Sequence, residues 1–329
     1  MRCINKHKTI NCILTLLMLI SLTGCGNLSY DCAYSADADV STFNVVSKQE
    51  TRRADPFAGD LCVVTSNIFH EAVTIDEEIS GASGLFEVNS NGVIYAKNIH
   101  DKVYPASLTK VMTALVALEN GRLEQILTAS KAINITESGA QLCGLKVGDT
   151  MTLDQALRIL LLYSANDVAM MIAEGIGGSV DGFVEMMNAK AMELGATNTH
   201  FTNPHGLTDI EHYTTGYDLY LIFNEAIQYE TFNEIIHMTS YQTIYHDKDG
   251  KEKEFDKLTT NLFLRGDQSA PANVTVIGGK TGTTNAAGHC LVLLSKDKGG
   301  APYISIVMRS KTLDDLYAEM KDLLAVIGN

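Results

Sequence analysis

The feature that most constrains the fold is a change of hydrophobic period along the chain, with two-residue alternation at both ends and helical spacing between them. The run Ala82 to Val88 reads as a strand. Asn89 to Gly92 carries a hairpin turn signal, and Val93-Ile94-Tyr95-Ala96 returns. From about Ser107 to Tyr229 the apolar residues recur three or four apart, and Thr152 and Gln155 stand as a capping box ahead of Leu157, Leu160 and Leu161. A further helix is expected over about Gly182 to Leu194, burying Phe183, Met186, Met187 and Met192 and stopping at Gly195. Its methionines read as core filling. Beyond the polar turn Asp247-Lys248-Asp249-Gly250, strand patterns return at Val274 to Ile277, Cys290 to Leu294 and Tyr303 to Met308. An amphipathic helix from Leu313 to about Ile327 follows. Strands on both sides of a helical stretch predict an α+β fold in which an antiparallel sheet is flanked by helices. An all-helical subdomain over about residues 122–240 is expected as an insertion in a domain spanning 81–329.

The segment before that domain reads differently. Arg2, Lys6 and Lys8 precede the apolar run Ile13 to Leu22, as in an export signal, and the run is short for a transmembrane span. Residues 1–24 are therefore expected to be a signal peptide and residues 25–80 a mostly irregular tether, rich in Ser, Asp, Thr and Asn. The 329 residues, 46% hydrophobic and 19% charged, suffice for one large domain and argue against a disordered or polytopic membrane chain. Net charge is −14. Without residues 1–24 it becomes −17, with 22 basic residues against 39 acidic. Such a surface repels nucleic acid, which is not expected as a partner. The seven cysteines form no C-x-x-C pair and suggest neither a disulfide framework nor a zinc site.

Three short patterns carry chemistry. Ser107-Leu108-Thr109-Lys110 follows Tyr104-Pro105-Ala106 and opens an apolar helix that ends near Gly121. On a helix, positions i and i+3 share a face, so the Ser107 hydroxyl and the Lys110 amine can meet. A lysine accepts the serine proton once burial and nearby cations lower its pKa from about 10.4. The spacing alone is weak, because Ser295-Lys296-Asp297-Lys298 repeats it in a charged turn where the lysines are expected to stay solvated. Ser164-Ala165-Asn166 interrupts a strongly apolar stretch, so these polar groups form either a loop or a buried cluster that must find partners. Lys280-Thr281-Gly282 lies at the end of a strand between Gly278-Gly279 and Thr283-Thr284, where a substrate backbone can approach closely and a cation can meet a carboxylate.

In that order the three patterns resemble the motif set of penicillin-binding proteins and serine β-lactamases. Tyr104 to Thr113, the stretch Phe183 to Leu207 and Lys280 to Gly288 are similar to low-molecular-mass D-alanyl-D-alanine carboxypeptidases. The resemblance, over roughly Ala82 to Met308, implies a β-lactamase/transpeptidase-like fold and a serine carboxypeptidase acting on peptidoglycan stem peptides in cell-wall biosynthesis and cell shape. It implies Ser107 as nucleophile, Lys110 as base, and Ser164 as proton relay to the departing D-alanine. Asn166, Lys280, Thr281, Gly282 and Thr283 would bind substrate, with the backbone amides of Ser107 and Thr283 as oxyanion donors. No metal or organic cofactor is required, and β-lactams are expected to acylate Ser107. The family's carboxylate-binding arginine lacks a clear counterpart near Lys311 to Asp315, with Arg309 the nearby candidate. The family's C-terminal β-domain and amphipathic anchor are not read here. Leu22-Thr23-Gly24-Cys25 resembles a lipobox, so Cys25 is expected to be lipidated and to hold the protein on the extracytoplasmic face of a bacterial membrane. A class A β-lactamase would need a Glu-x-x-Leu-Asn segment, which the chain lacks, and a β-lactam sensor usually carries a transmembrane signalling partner domain.

Overall fold

A computed structural model describes residues 59–73 and 80–327. The expected signal peptide, Cys25 and most of the expected tether lie outside those residues.

The alternating segments at the two ends of the domain meet in one five-stranded antiparallel sheet of order β2-β1-β9-β8-β7. Its strands are β1 (Ala82–Glu87), β2 (Gly92–Lys97), β7 (Val274–Thr284), β8 (Gly288–Asp297) and β9 (Pro302–Ser310). Both faces are covered. Leu291 and Leu293 point into a cluster with Leu316, Met320 and Leu323 of α8 (Leu313–Ala325), whereas Val292 and Leu294 point into the larger core on the other face. This period-two division explains why the strands read as almost continuous apolar runs. β7 is an edge strand with one side unpaired by the sheet.

The stretch between β2 and β7 holds α1 (Thr109–Asn120), α2 (Leu153–Arg158), α3 (Asn166–Gly177), α4 (Val180–Glu193), α5 (Gly216–Ala226), α6 (Glu230–His237) and the short α7 (Leu262–Arg265). Thr152 and Gln155 form the expected reciprocal capping box at the start of α2. In α4, Phe183 and Met187 are buried, but Met192 is 62% exposed, so the expected methionine stripe is only partly core. The insertion is not wholly helical. Strands β3 (Ile126–Thr128), β4 (Thr150–Thr152), β5 (Ser240–His246) and β6 (Glu252–Leu258) form a second sheet of order β3-β4-β5-β6. These strands escaped the pattern because β3 and β4 have three residues each and most of β5 and β6 is solvated, leaving little alternation to detect.

Residues 59–73, expected to belong to the tether, are irregular in backbone yet packed on the domain. Cys62 and Val64 are buried, and Ile68 makes a single bridge with Ala96. The Cys62 N–H donates to Tyr220 Oη at 2.9 Å, while Tyr217 Oη donates to the Cys62 carbonyl at 3.0 Å. Cys62, Cys143 and Cys290 are free thiols.

Candidate active site

α1 is buried along Thr109 to Ala117, so its polar residues have no water to turn to and each must find a protein partner. Thr113 Oγ1 donates to the Pro204 carbonyl at 2.6 Å. Lys110, with no exposed surface, donates through Nζ to Ser107 Oγ at 2.9 Å, Asn166 Oδ1 at 2.6 Å and the His205 carbonyl at 2.6 Å. Ser107 lies in the single 3₁₀ turn Ala106–Leu108 that leads into α1, and its hydroxyl stands one turn from the amine as helical spacing requires.

The turn holding Ser107 is strained and tightly clamped. Ala106 has φ +48°, a left-handed value that costs an alanine on the order of 1 kcal/mol. Its carbonyl accepts from Thr109 Oγ1 at 2.8 Å, and that hydroxyl meets His212 Nε2 at 2.8 Å. Because His212 Nδ1 accepts from the Thr202 N–H at 3.0 Å, the neutral ring carries its proton on Nε2 and donates to Thr109. From the other side Gly206 presses on the same carbonyl so closely that a Cβ there would sit 1.8 Å from Ala106 O. Burial first, and then the Lys110 charge, lowers the His205 pKa to about 3. Burial likewise takes His212 down to about 4.

The Ser164-Ala165-Asn166 segment also depends on unusual backbone. A π-helical turn, Ile159–Tyr163, ends α2, and Ser164 follows at φ +71° before α3 begins at Asn166. Asp167, which pattern reading passed over, fixes what lies opposite. Its carboxylate accepts from the backbone N–H groups of Cys143, Gly144 and Leu145 at 2.8 to 3.0 Å. The loop so held brings the Gln141 carbonyl to the Asn166 N–H at 2.8 Å and its side chain to the Tyr163 carbonyl at 2.8 Å. Asn166 Oδ1 is taken by Lys110, and among the described residues its Nδ2 has no hydrogen-bond partner.

Lys280-Thr281-Gly282 lies inside β7, which runs well past the expected end at Ile277. The glycines around it serve different contacts. A Cβ at Gly278 would sit 2.1 Å from the Ile236 carbonyl at the end of α6, and one at Gly279 would sit 2.0 Å from the Val292 carbonyl in β8. Only Gly282 faces the nucleophile, with a built Cβ 3.0 Å from Ser107 N. Lys280 is buried and donates to Ser164 Oγ at 3.0 Å and to the Thr281 carbonyl at 2.8 Å. Its direct serine partner is Ser164, whereas Lys110 holds Ser107. Thr281 Oγ1 shares a 2.6 Å hydrogen bond with Thr260 Oγ1. The Thr283 hydroxyl meets His289 Nδ1 at 3.2 Å.

Both lysine amines of the site are buried, and burial disfavours their charged forms. Lys110 is held well below the ordinary lysine pKa, by burial first and by the Lys280 charge second, with Asp167 opposing. Burial lowers Lys280 to about 7. The three motifs line one cleft of about 350 Å³, with Ser107, Ser164, Asn166, Thr281, Gly282 and Thr283 on its walls. Leu313, Leu316 and Tyr317 of α8 close another side, and among the described residues no arginine lines this cleft. Arg309, the sequence candidate for the carboxylate, instead lines two other cavities and lies across Gly81. Among the described residues no group of His, Cys, Asp and Glu is placed to hold a metal ion, and no helix is long and apolar enough to cross a membrane.

Comparison with known proteins bears on this geometry. The peptidase S11 family, described as D-alanyl-D-alanine carboxypeptidase, matches residues 70–312. The chain belongs to this family. The D-alanyl-D-alanine carboxypeptidase DacF of Bacillus subtilis is 33% identical over 79% of this chain and 63% of its own length. DacA of Escherichia coli is 33% identical over 73% of this chain and 58% of its own. The chain thus spans about three-fifths of the length of these S11 relatives. Among solved structures, the Streptomyces K15 DD-transpeptidase is similar with a TM-score of 0.69 at 27% identity, covering 75% of this chain and 96% of that one. A penicillin-binding protein homologue from Mycobacterium tuberculosis gives a TM-score of 0.66 at 30% identity, covering 79% and 96%. The fold is that of the penicillin-binding, β-lactamase-related peptidases, with antiparallel sheets flanked by helices.

Proposed function

We propose that this chain is a serine D-Ala-D-Ala carboxypeptidase that removes the terminal D-alanine of peptidoglycan stem peptides through an acyl-enzyme on Ser107. The observation that carries the reading is the 2.9 Å contact between Ser107 Oγ and the fully buried amine of Lys110. A lysine kept neutral by burial and by a second cation is a base, and a serine beside it is a nucleophile. Ser107 Oγ attacks the scissile carbonyl while its proton passes to Lys110 Nζ. The oxyanion forms where β7 crosses the Ser107 turn, within reach of the backbone amides of Ser107 and Thr283, each worth roughly 3 kcal/mol. Ser164 delivers a proton to the amine of the departing D-alanine, and the C–N bond breaks. Water then adds to the ester and frees Ser107. Asn166 offers Nδ2 to the peptide, and Lys280 with Thr281 holds the terminal carboxylate next to Gly282.

The test is D-alanine release from a peptide ending in D-Ala-D-Ala, with Ser107→Ala as control. Release that penicillin blocks and the variant lacks supports the reading. Penicillin labelling without release from any such peptide would overturn it.

The same reading places the enzyme outside the cytoplasm, where its substrate is. Residues 1–24 act as the export signal, and Cys25 becomes the lipidated first residue on the outer face of the membrane. The support is the basic-apolar-small order ending in Leu22-Thr23-Gly24-Cys25. Metabolic labelling with a fatty acid, lost in Cys25→Ala, tests the anchor.

A further inference from the structure

Beside the catalytic cleft, and sharing two of its walls, lies a second cavity of about 380 Å³. The cleft uses Leu207 from the loop after His205 and Thr284 from the end of β7. The second cavity uses Ile210 from the same loop and Ala286 from the turn that follows β7. A hydrogen bond from Thr208 Oγ1 to Thr284 Oγ1, at 3.3 Å, marks the boundary between them.

The chemistry of this cavity differs from its surroundings. The chain carries −14, yet the residues lining the cavity include Lys102 and Arg309 and no carboxylate. Lys102 Nζ stands 3.9 Å over the Tyr213 ring. Arg309 has an unusual backbone for an arginine, with φ +62°. It sits where the β8–β9 register shifts between His289 and Leu291, and its N–H donates to Cys290 Sγ at 3.4 Å. Asp101 shares an adjoining cavity with Arg309. Among the described residues no ion pair joins Lys102 or Arg309 to a carboxylate.

Strand direction says what would reach this place. A peptide laid along the free edge of β7 with its terminal carboxylate at Lys280 and Thr281, and its scissile carbonyl at Ser107 opposite Gly282, runs antiparallel to the strand. Its upstream residues pass Thr284 and reach the turn at Ala286, each advancing about 3.4 Å. We propose that the cavity holding Lys102 and Arg309 is a subsite for a carboxylate-bearing residue about three positions upstream of the scissile bond. This inference rests on the carboxypeptidase reading, to which it adds a preference for acidic wall peptides.

The experiment compares two peptides ending in D-Ala-D-Ala, one with a glutamate at the third upstream position and one with glutamine there. The wild-type enzyme should favour the acidic peptide about three- to tenfold in kcat/KM, as expected for exposed charge pairs, and the ratio should fall with added salt. In Lys102→Ala/Arg309→Ala the ratio should approach one, with folding read separately from the thermal midpoint. Arg309→Gly gives a second arm, because glycine accepts the positive φ, so selectivity should drop while the midpoint holds or rises. A wild-type ratio near one, or a preference that survives in the double variant, overturns the subsite. If neither peptide releases D-alanine, the carboxypeptidase reading fails by itself, and fluorescence anisotropy of the labelled acidic peptide decides the subsite. Tighter binding than the glutamine peptide, lost in the double variant, supports it. Equal binding of the two peptides sinks it.

Discussion

The chain contains the same four-residue spacing twice, and the two copies part company in every physical respect. Ser107 and Lys110 lie where a 3₁₀ turn runs into a helix, so both side chains point to one face and meet at 2.9 Å. Ser295 sits in β8, and Lys298 follows in the turn beyond it. Residues three apart on an extended strand project to opposite faces, so that pair is directed apart. Burial is also reversed. Lys110 is enclosed and Ser107 opens to a cleft, whereas Ser295 is enclosed, with its hydroxyl unpaired in the sheet, and Lys298 is exposed. The comparison teaches that a serine-lysine spacing becomes chemistry only when the backbone is helical and the amine is the member that loses its water.

The largest effect should come from exchanging the amine. Lys110→Arg puts an always-protonated guanidinium where a proton acceptor is needed, so acylation by a β-lactam or a peptide should fall by at least about a thousandfold. Lys298→Arg should change the same rate by less than twofold. A Lys110→Arg enzyme that acylates at near wild-type rate would break the distinction.

The second test uses Lys280, whose pKa of about 7 differs from that of an ordinary solvated lysine. In the free enzyme its cation is present below pH 7 and lost above it, so binding of the terminal carboxylate should weaken as pH rises. The kcat/KM profile for a D-Ala-D-Ala peptide is expected to turn down above about pH 7, and Lys280→Arg should move that limb up by two units or more.

The third concerns the clamp on Ser107. His205 and His212 stay neutral in the fold down to about pH 3 and 4, while the unfolded chain protonates them near 6.5. The unfolded state therefore binds more protons in this window, and stability falls as pH falls below 6.5. Denaturant unfolding should lose about 2 to 4 kcal/mol between pH 7 and 5, and His212→Gln should remove about half of that loss.

The smallest effect belongs to the other serine. Ser295→Ala removes a buried hydroxyl without a partner, so activity should stay within twofold and the unfolding free energy should be unchanged or higher by up to about 1 kcal/mol.

How legible this was depended on range in the chain. The hairpin of β1 and β2, the capping box at Thr152, and the helix after Ser107 follow from neighbours a few residues apart, and each is found where the pattern put it. The three motifs were readable because each holds polar groups against apolar surroundings or glycine-rich strand. Asp167, Thr260, His212 and the loop at Gln141 were not. Their roles come from contacts made 21 to 103 positions away. One signal was available for Asp167: a carboxylate directly after Asn166 and directly ahead of the apolar run Val168 to Ile172 has to be satisfied by something. The separate purposes of Gly278, Gly279 and Gly282 were also invisible, since which backbone each one touches is decided by the packing of α6, β8 and the Ser107 turn.

The distances along the chain also set a time for reactivity. Lys110 gains its low pKa from burial and from a second lysine 170 positions later, and Ser164 meets that same lysine across 116 positions. Until β7 has docked, Lys110 lacks the second of the two influences that lower its pKa, and Ser164 lacks its lysine partner. A growing chain therefore holds an unfinished pair, and the edge strand beside Ser107 is among the last parts needed to complete it.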